Sequence, residues 1–393
     1  MPDPIAPDQP QAVLGGLTPR AFMRRHWQRR PLHVRGALAG LAPPLDRRAL
    51  FDLASREGVE SRLVRHDRRA PAPGRWTVRH GPIPRRSLPP LTQPDWTLLV
   101  QGTDLHVDAC HDLLAPFRFT PDVRLDDLMV SFATEGGGVG PHVDSYDVFL
   151  LQLHGRRRWR VGPPGDATLV AGLPLKILAR FEPTDTWVCE PGDLLYIPPG
   201  WGHDGVAVDG ACLTASVGYR APGRDALAVE LLQRLLDAHE GPDIDRLYRD
   251  ASQPPADAPA AMPAALQAFA RDAVARWLGR PAALEAALRL ALGEVTTEPK
   301  PGVWFDPPGH APLGSGAVRL DRRTRMLYDE QALYVNGESF RIGGRDATLL
   351  RRLADRRGLT AAERARLGPD AAAAVDAWLA DGWLRAVPAE GVS

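Results

Sequence analysis

His142 and Asp144 stand two positions apart at the end of the run Gly136-Gly137-Gly138-Val139-Gly140-Pro141. On an extended strand that spacing turns both side chains to one face. An imidazole and a carboxylate aimed together are two members of a 2-His-1-carboxylate facial triad. That donor set suits non-haem Fe(II), because it leaves three positions for a cosubstrate and oxygen. The third donor has to come from a distant strand. Pro191-Gly192-Asp193-Leu194-Leu195-Tyr196-Ile197-Pro198-Pro199-Gly200-Trp201-Gly202-His203 provides it: a Gly-Asp turn opens a strand, a Pro-Pro-Gly turn closes it, and His203 follows. A solitary His-x-Asp is more often a surface pair than a ligand pair. The glycine-rich approach and the distal imidazole tip this one towards metal, and the other nine of the 11 histidines have no such setting.

Open positions on iron are useful when a chelating cosubstrate fills two of them. 2-Oxoglutarate does so through its 1-carboxylate and keto oxygen, and its remote carboxylate then needs a cation. Arg157, in Gly155-Arg156-Arg157-Arg158-Trp159, lies fifteen residues after His142 at the start of the next strand. A guanidinium offers a carboxylate a permanently charged, two-pronged partner. Strand alternation sets Arg157 opposite to Arg156 and Arg158, so one inward arginine is expected here.

These residues need a β scaffold, and the sequence supplies one. Between Ser61 and Tyr219, short apolar runs (Trp96–Val100, Leu128–Phe132, Val148–Leu153, Arg158–Val161, Leu194–Ile197) are separated by Gly, Pro and Asp turns, the pattern of a barrel or sandwich. Ahead of it, Thr18-Pro19 marks a helix start that runs through Phe22, Met23 and Trp27 to an Arg29-Arg30-Pro31 stop. Leu32–Arg35 then reads as a strand. After Arg220-Ala221-Pro222-Gly223 the period changes. Asp225–His239, Pro263–Gly279 and Pro281–Leu292 are amphipathic helices, with a Pro/Ala linker at 252–262. From Pro301 onward, Val318–Leu320, Met326–Tyr328 and Ala332–Val335 are short strands and Asn336-Gly337 is a hairpin turn. Ala347–Arg356 and Ala371–Leu379 are helices, and Gly382-Trp383-Leu384 returns to strand, as in a winged-helix-like α+β domain.

Composition narrows the class. The 393 residues are 44% apolar and 24% charged, which excludes a disordered tail or a collagen-like fibre, and no apolar run is long enough to cross a bilayer. Lys+Arg and Asp+Glu both total 48, so bulk charge does not favour nucleic acid or anionic lipid. Only Lys176 and Lys300 are lysines. Cys110, Cys189 and Cys212 are too scattered for a disulfide framework, and the start lacks the pattern of a signal peptide. A cytoplasmic protein is expected.

With these residues in view, the chain resembles the bacterial JmjC-type ribosomal oxygenases. The resemblance is carried by Arg25-His26-Trp27-Gln28-Arg29-Arg30-Pro31, Asp126-Asp127-Leu128-Met129-Val130-Ser131-Phe132 and Gly136–Asp144. It continues in Tyr146-Asp147-Val148-Phe149, Gly155–Gly162, Pro191–Gly200 and Ser216-Val217-Gly218-Tyr219-Arg220-Ala221-Pro222, covering most of 18–222. It implies a mostly β catalytic domain of the JmjC/cupin type (a double-stranded β-helix) over 1–222, a helical dimerisation module over 223–299 and a winged-helix-like domain over 300–393. It also implies Fe(II) on His142, Asp144 and His203, and 2-oxoglutarate on Arg157 with help from Ser131. The implied reaction is hydroxylation of an arginine, at its β-carbon, in large-subunit ribosomal protein L-sixteen by a homodimeric enzyme.

Period-two geometry extends that implication to a substrate pocket. Asp127, Met129 and Ser131 share one strand face, and Tyr146 shares one with His142 and Asp144. Asp127 would pair with the substrate guanidinium while Met129 and Tyr146 clamp its stem, with Ser216 nearby. Two other readings stay open. One keeps the chemistry and targets a histidine of another ribosomal protein; a carboxylate at Asp127 suits a guanidinium better. The other is a non-enzymatic, metal-holding regulator whose winged helix contacts DNA through Arg345, Arg351, Arg352, Arg356 and Arg357; the balanced charge argues against direct nucleic-acid binding. Arg56–Pro90, with nine arginines against Glu57, Glu60 and Asp67, reads as a solvated loop or a docking surface for an RNA-associated protein.

Overall fold

A computed structural model describes residues 3–70, 75–237, 247–249, 251, 260, 262–279, 281–307 and 316–387. Ten strands form one antiparallel sheet: β1 (Leu32–Val34), β2 (Ser61–His66), β3 (Trp76–His80), β4 (Trp96–Val100), β5 (Leu125–Ala133), β6 (His142–Val143), β7 (Val148–Gly162), β8 (Asp185–Cys189), β9 (Leu194–Ile197) and β10 (Gly202–Tyr219). Their order is β1-β9-β7-β10-β5-β4-β2-β3, with β6 on β10 and β8 on β7. The two long strands set the curvature. One end of β7 pairs with β9 and the other with β8, while β10 pairs with β6 at its start and β5 at its end. Both therefore belong to two walls and fold the sheet around an interior, the expected JmjC-type β architecture.

The sequence suggests two strands where β7 is one. Gly155 reads as a turn but continues the strand beside a bulge: the register against β10 slips at Leu153, and at Gly155 φ is +65° and a Cβ would lie 2.2 Å from the Ala211 carbonyl oxygen. The bulge reverses the parity of the strand. Before it, Val148 and Leu150 face the interior cavity, and Phe149 and Leu151 face the outer core; after it, Arg157 and Trp159 face the cavity.

Outside the sheet, helix α1 (Pro19–Arg25) is capped by Thr18, whose Oγ1 accepts from the Ala21 amide at 3.1 Å. It stops at His26, short of the Arg29-Arg30-Pro31 expected. Phe22 is fully buried among Phe149, Tyr196 and Trp27. Helices α2 (Arg47–Ala54) and α3 (Asp108–Asp112) lie between the early strands.

The remaining elements are α4 (Arg224–Asp237), α5 (Ala264–Leu278), α6 (Pro281–Thr297), β11 (Val318–Leu320), β12 (Met326–Tyr328), β13 (Ala332–Val335), β14 (Glu338–Arg341), α7 (Gly344–Arg356), β15 (Gly358–Leu359), α8 (Ala361–Arg364), α9 (Pro369–Ala380) and β16 (Leu384–Ala386). The Asn336-Gly337 hairpin joins β13 to β14, and both residues have positive φ. Most of the 252–262 linker lies outside the described residues.

Contacts divide the chain into two units. One holds 1–221, 299–324 and 344–393; the other holds 222–298 and 325–343. Within the first, β11 pairs with β15 and β16. Within the second, β12, β13 and β14 form a meander against α6, where Gly293 lets the Tyr334 ring approach. Both units thus cross the sequence boundary at 300.

Candidate active site

His142, Asp144 and His203 meet although some sixty positions separate the first from the last. In the register of β6 on β10, His142 lies directly opposite His203. Strand β6 ends at Val143, so Asp144 is delivered by the turn after it rather than by strand alternation. A buried network pins that turn: Asp147 accepts from Tyr196 Oη at 2.6 Å and from Gln28 Nε2 at 3.1 Å, and the Gly200 amide donates to the Asp144 carbonyl at 2.8 Å.

The three ligating atoms lie within 4.8 Å of one another. Asp144 Oδ2 is 3.5 Å from His203 Nε2 and 4.0 Å from His142 Nε2, and the imidazole centroids are 4.2 Å apart. Each ring is oriented by its other nitrogen: His142 Nδ1 lies 2.9 Å from the Gly140 carbonyl and His203 Nδ1 3.1 Å from the Trp201 carbonyl. Each Nδ1 therefore carries the proton, and each Nε2 lone pair points to the common centre. Burial and the neighbouring His203 pull His142 down to about 4, which keeps the ring neutral. The two imidazoles beside Asp144 outweigh its burial and hold it below the usual carboxylate range. Two neutral imidazoles and an ionised carboxylate are the donor set a divalent metal needs.

The triad lines a cavity of about 540 Å³ that also holds Asp127, Met129, Ser131, Tyr146, Arg157 and Ser216. Arg157 is 3% exposed. It donates to Ser131 Oγ and Thr214 Oγ1 at 3.4 Å each and to the Gly205 carbonyl at 3.1 Å, and it sits 4.9 Å over the Trp159 ring. Its Nε has no acceptor, and no carboxylate among the described residues lies in ion-pair range of it. A buried, unneutralised guanidinium facing a cavity fits a ligand carboxylate.

Along β5 the face holding Asp127, Met129 and Ser131 lies opposite Gly218, Ser216 and Thr214 of β10. Asp127 is not an open carboxylate: it accepts from the Gly102 amide at 3.1 Å, and Lys300 Nζ lies 3.4 Å from it and 3.0 Å from Asp126. Burial nevertheless raises the Asp127 carboxyl against the lowering by Lys300. Tyr146, 38% exposed, stands at the rim. Thr214, Trp159, Lys176 and Lys300 belong to this neighbourhood without having been singled out in the sequence. Thr214 shares a strand face with Ser216, which is a readable signal; Lys300 reaches Asp127 from far along the chain and leaves no local one.

Two protein families match the chain: the JmjC domain over residues 112–227 and the ROXA-like winged helix over 276–385. The ribosomal protein uL16 3-hydroxylase of Escherichia coli is 40% identical over 242 residues, 61% of this chain and 61% of that protein. A probable ribosomal oxygenase of Haemophilus influenzae is 35% identical over 239 residues, 58% of this chain and 55% of that one. The aligned part is therefore under two thirds of either relative. Among solved structures, E. coli YcfD is similar over 94% of this chain and 98% of its own, with 31% identity and a TM-score of 0.77. YcfD has also been solved in complex with cobalt and 2-oxoglutarate, a structure similar at a TM-score of 0.73, with 31% identity and the same 94% and 98% coverage.

Proposed function

Since the chain belongs to the JmjC-type ribosomal oxygenases, we propose that it is an Fe(II)- and 2-oxoglutarate-dependent protein hydroxylase acting on an arginine β-carbon of ribosomal protein uL16. The observation that carries this reading is the convergence of three ligating atoms on a cavity that also holds a buried guanidinium without an anion.

Bound Fe(II) would supply a redox centre at which 2-oxoglutarate, dioxygen and a substrate C–H bond yield succinate, carbon dioxide and an alcohol. The protein contributes placement. His142, Asp144 and His203 would hold the metal. Arg157 would bind the remote carboxylate of 2-oxoglutarate, and Ser131 and Thr214 keep its guanidinium in place. Val148, Leu150 and Trp159 line the same cavity with apolar surface and exclude water there. Met129 and Tyr146 pack the aliphatic stem of the substrate arginine, Ser216 lies beside them, and Asp127 receives the guanidinium. Lys300 already sits where that cation goes, so substrate entry displaces it or shares the Asp126–Asp127 pair with it.

Homodimerisation through the helical segment is part of the proposal. Val229, Leu232 and Leu236 of α4 and Leu266 and Val274 of α5 are exposed apolar side chains of the kind a partner copy would cover. A ribosomal substrate sets the cytoplasm as the place of action.

The test incubates purified protein with Fe(II), 2-oxoglutarate and synthetic ribosomal peptides bearing either arginine or histidine targets. The expected result is one added oxygen on the arginine of the uL16 peptide, absent with His142→Ala. An unchanged uL16 peptide alongside an oxidised histidine peptide would move the substrate assignment, and no oxidation of any peptide would end the enzyme reading.

A further inference from the structure

We propose that His33, Cys189 and Asp193 form a second divalent-metal site, of the zinc class, that staples the edge strand β1 to β8 and to the turn that opens β9. The catalytic triad does not use these residues, and they come from two separate pieces of chain. Their ligating atoms also lie within 4.8 Å of one another. His33 Nε2 is 3.9 Å from Asp193 Oδ2, the spacing already seen between His142 and Asp144 at 4.0 Å. Zinc bonds of about 2.0 Å to nitrogen and oxygen and about 2.3 Å to sulfur set such donors roughly 3.3–3.5 Å apart, so closure draws any pair together by at most about 1.5 Å.

Each donor is prepared for the role. His33 Nε2 is buried and has no hydrogen-bond partner, and its ring is held by stacking on Trp187 at 5.6 Å between centroids. An orphaned buried acceptor costs free energy unless something fills it. Asp193 is fixed in place by the Gly36 amide on Oδ1 at 2.8 Å and the Glu190 amide on Oδ2 at 3.0 Å, the outer contacts that orient a ligating carboxylate. Cys189 is fully buried and free. A nitrogen, sulfur and oxygen set selects zinc-like ions over magnesium or calcium, and three protein donors leave the fourth position for water.

Register explains the purpose of such a clip. β1 is a terminal strand of the sheet, three residues long, and pairs with β9 alone, with His33 opposite Leu195. A metal adds a second attachment for an edge that backbone hydrogen bonds hold on one side only. On binding, the S–H bond breaks, the thiolate bonds the metal and the proton passes to buffer. Because binding releases that proton, metal binding tightens as pH rises.

Cobalt titration of the metal-free full chain tests this directly, because the catalytic triad contains no sulfur. The expected result is two Co²⁺ per chain, one of them with a near-ultraviolet thiolate-to-cobalt charge-transfer band. The band should survive in His142→Ala and vanish in Cys189→Ser, which keeps one equivalent. His33→Gln should weaken the band-forming site by at least the roughly tenfold that loss of even an outer-sphere partner costs. In His142→Ala, Zn²⁺ should raise the melting temperature. A wild-type titration with no thiolate band overturns the proposal, and so does a band that persists in Cys189→Ser. The wild-type spectrum decides even if a variant fails to fold.

Discussion

At the scale of single residues, the site divides its work between two kinds of charge. Arg157 is a buried cation whose counter-charge is to arrive with a ligand, and Asp127 is a buried anion already in contact with Lys300. A charge-assisted hydrogen bond is worth about 1.5–3 kcal/mol, and about 1.4 kcal/mol is a tenfold change in affinity. Arg157→Met should therefore raise KM for 2-oxoglutarate about ten- to a hundredfold, with peptide KM much less affected. Asp127→Asn should show the reverse split: a similar rise in peptide KM with 2-oxoglutarate KM nearly unchanged. Steady-state kinetics with each substrate varied in turn measures both. Equal loss on both axes in either variant would mean that the residue supports the fold of the cavity rather than one of its ligands.

The elements decide which residues reach the cavity at all, and the irregular stretch of β7 around Gly155 is the clearest case. A Cβ at this positive-φ position would collide with the Ala211 carbonyl, and straightening the strand would turn Arg157 out and Arg156 in. Gly155→Ala should cost about 2 kcal/mol or more, read as a lower denaturant midpoint, together with weaker binding of 2-oxoglutarate. Gly205→Ala presses on the Trp159 ring, where a Cβ would come within 2.4 Å, and should cost about 1–3 kcal/mol. The same two glycines mark where sequence reasoning stops. Spacing marks His142, Asp144 and Arg157 because it is local, although the turn after β6, not strand alternation, carries Asp144 to the centre. A glycine between two apolar runs reads equally as turn or as continuing strand, so local pattern divides β7 into two strands where there is one. The face Thr214 shares with Ser216 is readable locally, but its place across from Ser131 in the β5–β10 register depends on strand order, which spacing does not give. The Lys300 contact depends on tertiary packing, which no local pattern encodes.

At the scale of the larger unit, sequence-distant pieces dock on the catalytic sheet. Arg322 donates to the Leu105 carbonyl at 2.8 Å and lies 3.0 Å from Asp108, and Arg118 reaches the Ala354 carbonyl at 3.4 Å. His111 sits in this seam, and burial together with Arg357, Arg319 and Arg118 holds its pKa far below the ordinary histidine value. The sign follows from proton counting. Below about pH 6.5 the unfolded chain protonates this imidazole and the native state does not, so its contribution is fully present above that pH and is lost as pH falls. The loss amounts to roughly 1.4 kcal/mol per pH unit. His106 acts in the same direction, through burial and Arg322. Asp104 opposes them: burial pushes its carboxyl up to about 7, so the native state gains a proton on acidification that the unfolded state takes up only near pH 4. Replacing His111 removes its proton from that balance and so flattens the pH dependence. Urea unfolding at pH 7, 6 and 5 should show stability falling more steeply for the wild type than for His111→Gln, with the two curves converging as pH drops. Parallel curves would mean that the imidazole finds a proton in the native state, which the three surrounding guanidinium groups oppose.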